Sequence, residues 1–211
     1  MNIADQMVYV RALEKIDTVF RSNKIPYWLD AGTLLCAHRD GDLEHEHDTD
    51  LGVFYEDFDR ITAVLPEITS GTDWTAGPTK PNWHGIIFSK DPYLHCDIIH
   101  WHKVGEYRTC YGVCNPFALH GRMLEAFTDI KIHKLSNHNF SAPRDTEEYI
   151  SCYYGREDWK KQMSKEEYMK YQTDTNQGKI ARYPVNEWNE ACARYWMDMP
   201  GQVKLPWTKG R

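Results

Sequence analysis

The sequence predicts a sheet with helices packed against it, of the α/β or α+β class. Three observations lead there. Helical and strand periodicities alternate along the first hundred residues, an acidic pair opens an apolar strand, and a lone Asp sits inside a later apolar strand. Taken in order, Ile3, Met7, Val10, Leu13, Ile16 and Phe20 recur at three- and four-residue steps, which makes residues 4–22 a helix with one apolar face. Asn23 stops it and Pro26 follows, as expected past a helix end. Residues 27–29 read as a short strand running into Ala31-Gly32-Thr33, and residues 33–38 as a short helix capped by Thr33. Residues 39–47 are polar, contain Gly41 and read as a loop. Residues 48–55 read as a strand, residues 56–65 as an amphipathic helix ended by Pro66, and residues 77–81 as a turn. Residues 83–90 and 93–101 read as two strands joined by Asp91-Pro92.

In the second half, residues 130–135 read as a strand and Asn137-His138-Asn139 as a turn before Phe140. Residues 145–153 form a helix with acidic residues in the first turn, where the helix dipole favours them. Residues 164–173 form another, with Ser164 and Glu167 at capping-box spacing. Residues 186–197 suggest a third, and residues 200–211 a loose tail. The organisation expected is a core over residues 1–140. Residues 141–211 then form a helical appendage and tail of the same domain, with Tyr149, Tyr153, Tyr154 and Trp159 as candidate acceptor-groove contacts.

Composition bounds the function. A hydrophobic content of 41% with 27% charged residues is that of a globular chain. A formal net charge of -6 argues against nucleic acid as a partner, because duplex binding needs a basic surface. The first twenty residues have no apolar signal region and no window approaches the ~18 apolar residues of a spanning helix, so a soluble cytoplasmic protein without membrane insertion is expected. The six Cys are scattered, so a disulfide framework is not expected. Cys110 and Cys114, with His95, His100 and His102 nearby in sequence, could be drawn as a zinc site, but no second close Cys pair completes the usual pattern. Eight Trp and thirteen Tyr serve packing, or a groove that stacks sugar rings or a base.

The chemistry concentrates in Gly32-Thr33, in Glu46-His47-Asp48-Thr49-Asp50 and in Asp97. On a strand, Asp48 and Asp50 point to the same side. Neighbouring carboxylates repel unless a cation neutralises them, and oxygen ligands suit Mg²⁺ or Mn²⁺. Asp97, inside Cys-Asp-Ile-Ile, is costly unless it binds something, and as a third carboxylate it would complete a metal clamp on a phosphate. Glu46 is a further candidate ligand. Gly32 lets backbone approach a ligand, the amides at the following helix start face an anion, and Arg39 can add a charge-assisted contact, so Gly32, Thr33 and Arg39 are expected on donor phosphates. His45, His47, His95, His100 and His102 flank the carboxylates as candidate assistants.

Residues 27–39, Tyr-Trp-Leu-Asp-Ala-Gly-Thr-Leu-Leu-Cys-Ala-His-Arg, continued by Glu46-His-Asp-Thr-Asp-Leu-Gly52, resemble the LicD/fukutin family. That family has a Gly-Thr-Leu-Leu-Gly segment, an Arg shortly after, and a Trp-Asp-x-Asp-x-Asp-aliphatic-Gly segment. Here Glu46 stands at the first Asp, His45 at the Trp and Cys36 at the second Gly. Asp97 in His-Cys-Asp-Ile-Ile matches the later segment supplying a third Asp. Pro143 through Trp159 resembles the Pro, Tyr-x-x-Leu, Tyr-Gly, Trp ending. The resemblance implies an α+β fold, a nucleotidyltransferase-like mixed sheet flanked by helices. It also implies a divalent metal, Mg²⁺ or Mn²⁺, and transfer of a phospho-alcohol, such as phosphocholine or ribitol phosphate, from a CDP-linked donor to a glycan hydroxyl. Three other readings compete. They are nucleotidyl transfer from an NTP, glycosyl transfer using the Asp-x-Asp pair, and metal-free carbohydrate binding. The glycosyltransferase reading predicts no third catalytic Asp at position 97.

Overall fold

Asn2 opens the first helix by accepting the Asp5 amide with its side chain, and Asn23 closes it. The computed structural model describes residues 1–80, 83–88, 94–111, 116–154, 158–162 and 195. The expected helices over 164–173 and, Tyr195 apart, 186–197 lie outside the described residues, as do the tail and the Asp91-Pro92 connection. Helix α1 (Ile3–Ser22) buries Val10, Leu13, Ile16 and Phe20, as their spacing predicts. Ile3 does not join them. It is 63% exposed, because α1 is buried only from Gln6 onward.

The elements that follow are β1 (Tyr27–Leu29), α2 (Ala31–Arg39), β2 (Thr49–Phe54), α3 (Phe58–Thr69), β3 (Thr75–Lys80), β4 (Trp83–Ile87) and β5 (His95–Val104). Then come β6 (Tyr107–Tyr111), β7 (Pro116–His120), β8 (Phe127–Ile130), β9 (Phe140–Pro143) and α4 (Thr146–Tyr154). The main sheet runs β1-β2-β5-β4-β3, with β6 pairing the far end of β5 and β7 pairing β6. Among the described residues only β2 and β5 pair in parallel, so the sheet is mixed and the fold is α+β. A separate pair, β8-β9, packs beside β1.

Register assigns the two faces. Asp50 pairs with Asp97, Gly52 with Ile99 and Phe54 with Trp101, so these residues share one face. Trp28 lies opposite Gly52 on that face, where any Cβ at position 52 would strike its indole. Leu51, Val53, Ile98 and His100 occupy the other face, beneath α3: Thr62 of α3 bonds His84, and the Phe58 ring packs on His84 and His100.

Several sequence expectations need correction. The cap of α2 is Asp30, not Thr33; the helix starts at Ala31, held at φ +42, and Thr33 lies inside it. Pro66 does not end α3, which continues to Thr69 because the next turn buries Ile68. The supposed turn at 77–81 is largely β3, an edge strand, where a Pro costs no ladder bond that the sheet needs; the register shifts just after Pro78. Residues 131–135 are not a strand. Leu135 and Ser136 donate to the Ile132 carbonyl in a turn, and Lys134 donates to Gly41. The His133 ring lies over Gly41, at φ +72, so this turn clamps the loop that leads to Glu46. Strands β6 and β7 went unrecognised, since Tyr107–Tyr111 offers little alternation to read.

Candidate functional site

The parallel β2-β5 pair builds the site. Asp50 faces Asp97 in direct register, and Thr49 faces Cys96 one step earlier. One step further, at the entrance of both strands, Asp48 stands beside His95, with Nε2 3.5 Å from Oδ2. Gly85 of β4 flanks Asp97 from the other side, so the residue directly opposite the carboxylate carries no side chain. The loop before β2 adds Glu46. Candidate ligand atoms of Glu46, Asp48 and Asp50 lie within 4.8 Å of one another, and so do those of Asp48, His95 and Asp97. The structure therefore gathers Asp48, Asp50, Asp97 and Glu46 into two ligand groups that share Asp48. It also brings in His95, which the sequence marked only as an assistant.

The electrostatics are those of a crowded acidic cluster. Burial, then the charge of Asp48, pushes the Glu46 carboxyl up to about 8. Burial, then Asp48, Glu46, Asp97 and Asp30, holds Asp50 well above the carboxylate range. Converging carboxylates with raised proton affinity are what a divalent cation relieves, and the donor set fits one.

The residues expected on donor phosphates each have a partner inside the protein. The buried Thr33 hydroxyl accepts the Asp50 amide at 2.8 Å, while Asp30 donates its amide to the Asp50 carbonyl at 3.0 Å. The start of α2 thus grips the Asp50 backbone on both sides. Gly32 makes room for Glu46: a Cβ there would lie 2.4 Å from both carboxylate oxygens. The Cys36 thiol donates to the same carboxylate at 3.5 Å. Arg39 is bidentate on Asp40, at 2.8 and 2.6 Å, and its Nη1 donates to the carbonyls of Trp159 and Lys161 at 3.1 and 3.2 Å. It ties the chain after α4 to the end of α2.

Sequence reasoning missed Asp30. Fully buried, it accepts the Ala31 amide at 2.8 Å, Trp101 Nε1 at 2.8 Å and the Tyr149 hydroxyl at 2.6 Å. Tyr149 in turn accepts Trp28 Nε1 at 3.0 Å, so one carboxylate joins β1, α2, β5 and α4 under the cleft. An Asp at a strand-to-helix junction was the available signal, as a favoured cap. Tyr149, expected on the acceptor, is instead buried in this hub, and Trp159 is buried with its indole donating to Ser151. Tyr154 is half-buried, and the Tyr153 side chain lies outside the described residues. His45 and His47 are exposed, and strand alternation sends His100 and His102 to the opposite face. Among the described residues, Cys110 joins neither ligand group; Cys114 lies outside them.

Residues 24–110 match the model of the LicD/FKTN/FKRP nucleotidyltransferase domain. Over that stretch the chain is similar to the LicD/fukutin family. The matched LicD segment holds all of Glu46, Asp48, Asp50, His95 and Asp97, and the family is one of phosphate and nucleotide transferases. Among solved structures, the chain is similar to the lincosamide antibiotic adenylyltransferase LnuA with lincomycin bound. The identity is 14%, the match covers 66% of this chain and 82% of that one, and the TM-score is 0.42. No curated protein matches the chain. Among the described residues, no helix is long and apolar enough to cross a membrane.

Proposed function

We propose that this protein transfers a substituted phosphate, of the phosphocholine or polyol-phosphate kind, from a CDP-activated donor to a glycan hydroxyl, using Mg²⁺ or Mn²⁺. The observation that supports it most is the register pairing of Asp50 with Asp97, with Asp48 at the strand entrance. A site with three carboxylates also gives position 97 a task that a glycosyltransferase reading leaves without one.

Asp48, Asp50, Asp97 and Glu46 would hold the metal, which when bound offsets charge on the donor phosphates and on the leaving nucleotide. Asp50 is the anchored member, its backbone fixed by Thr33 and Asp30, so its carboxylate keeps one position as substrates exchange. Asp97 faces the cleft from a strand buried on both sides of it, and accepts the proton of the attacking sugar hydroxyl. Glu46 lies against Gly32 and shapes the helix-start side of the cleft. Arg39, whose charge favours the ionised form of Glu46, adds positive potential on that side while its donors hold the chain at Trp159 and Lys161.

The reaction class is tested by products. With a CDP-alcohol, a glycan acceptor and Mn²⁺, the account expects CMP and a phosphodiester-modified glycan, abolished by EDTA. Release of pyrophosphate from an NTP with no turnover of any CDP-alcohol would assign nucleotidyl transfer instead.

A further inference from the structure

We propose that the cleft holds two unlike metal sites sharing Asp48, and that His95 is a direct ligand of the second, fitting it for a divalent transition metal such as Mn²⁺, Co²⁺ or Zn²⁺ over Mg²⁺. This rests on the metal reading above and extends it to the identity of the ions.

The two ligand groups differ in chemistry. Glu46, Asp48 and Asp50 offer oxygen only, whereas Asp48, His95 and Asp97 offer two oxygens and an imidazole nitrogen. Their placement follows from the strands. Asp50 and Asp97 pair in the parallel ladder, His95 leaves the same face of β5 two residues before Asp97, and Asp48, just ahead of β2, brings its carboxylate beside His95. The His95 Nε2 to Asp48 Oδ2 separation of 3.5 Å lies beyond an ordinary hydrogen bond. Ligands held about 2.1 Å from one ion at octahedral or tetrahedral angles stand about 3.0–3.4 Å apart, close to the spacing seen. Mg²⁺ demands oxygen and keeps its waters, while imidazole is a softer donor that suits transition metals. Both side chains are about one-third exposed, at 33% and 36%, so an ion can reach them from solvent.

The alternative role for His95 is an outer partner that orients Asp48. Affinity does not separate the two, because removing an outer partner also weakens metal binding about 10–100-fold. Nitrogen coupling does. The full chain is loaded with one equivalent of Mn²⁺ in excess Mg²⁺, and pulsed electron paramagnetic resonance reads the nuclei bound to manganese. The expected result is ¹⁴N coupling from a coordinated imidazole in the native protein, lost in His95→Gln while the fold, by circular dichroism, is unchanged. Manganese bound through oxygen alone in the native protein, or ¹⁴N coupling that survives in His95→Gln, overturns the inference and leaves the metal reading standing. If neither Mn²⁺ nor Mg²⁺ binds the full chain, both fall.

Discussion

At the scale of residues, Thr33 and Gly32 serve the carboxylates more visibly than they serve a ligand. The Thr33 hydroxyl is the acceptor for the Asp50 amide. In Thr33→Val that buried amide loses its acceptor, at a cost of about 1–3 kcal/mol, readable in urea unfolding. Mn²⁺ affinity should fall as well, and Thr33→Ser should recover most of both. A stable Thr33→Val protein with native metal affinity would remove the positioning role. Asp50 and Asp97 separate by function. Asp50→Asn should lose metal-dependent donor binding and turnover together. Asp97→Asn should keep much of the donor binding and lose turnover by about a hundredfold or more. Near-normal turnover in Asp97→Asn would dismiss it as the proton acceptor. The acidic residues were legible in the sequence because same-face spacing on a strand is a strict rule. The partners of Thr33 and Arg39 were not, because they come from Asp50, Trp159 and Lys161, and only tertiary structure brings those near.

At the scale of elements, α4 is fastened through Asp30 to β1 and β5, which neighbour the acidic cluster. Tyr149→Phe removes a donor to Asp30 and an acceptor for Trp28 Nε1. Burial keeps the Tyr149 phenol neutral, raising it well above its ordinary value, so the hydroxyl remains a donor at working pH. The substitution should cost about 1–3 kcal/mol in denaturant unfolding. Unchanged stability would mean that α4 docks by apolar contact alone. Strong periodicity made α1, β2 and β5 readable from sequence. Elements whose shape depends on neighbours were not: β3 carries Gly77 and Pro78 yet pairs at a sheet edge, and the run after Ile130 turns back to clamp Gly41. Asp30 was overlooked for a related reason. Its cap role was visible locally, but Trp101 and Tyr149 reach it from 71 and 119 residues away.

At the scale of the whole molecule, the two faces of the sheet give stability opposite pH dependences. Glu46 is raised in the folded state from 4.5 to about 8, and Asp50 moves the same way, both by burial first and then by their acidic neighbours. Their contribution is fully present below the unfolded carboxylate value and is lost as pH rises toward about 8. On the other face, burial depresses His84 to about 4, His100 to about 3 and His102 to about 4, from 6.5. Their contribution is present above 6.5 and is lost as pH falls through those values. In EDTA the melting temperature should therefore peak at mildly acidic pH and fall toward about 8, and saturating Mn²⁺ should oppose that fall increasingly as pH rises. Metal stabilisation that does not grow with pH would detach the ion from these carboxylates. The most direct measurement is the anomalous difference density of crystals grown with Mn²⁺ and CDP. The account predicts a manganese peak bounded by Asp48, Asp50 and Asp97, with the CDP phosphates against it. A manganese peak elsewhere, or CDP bound away from these three carboxylates, would contradict it.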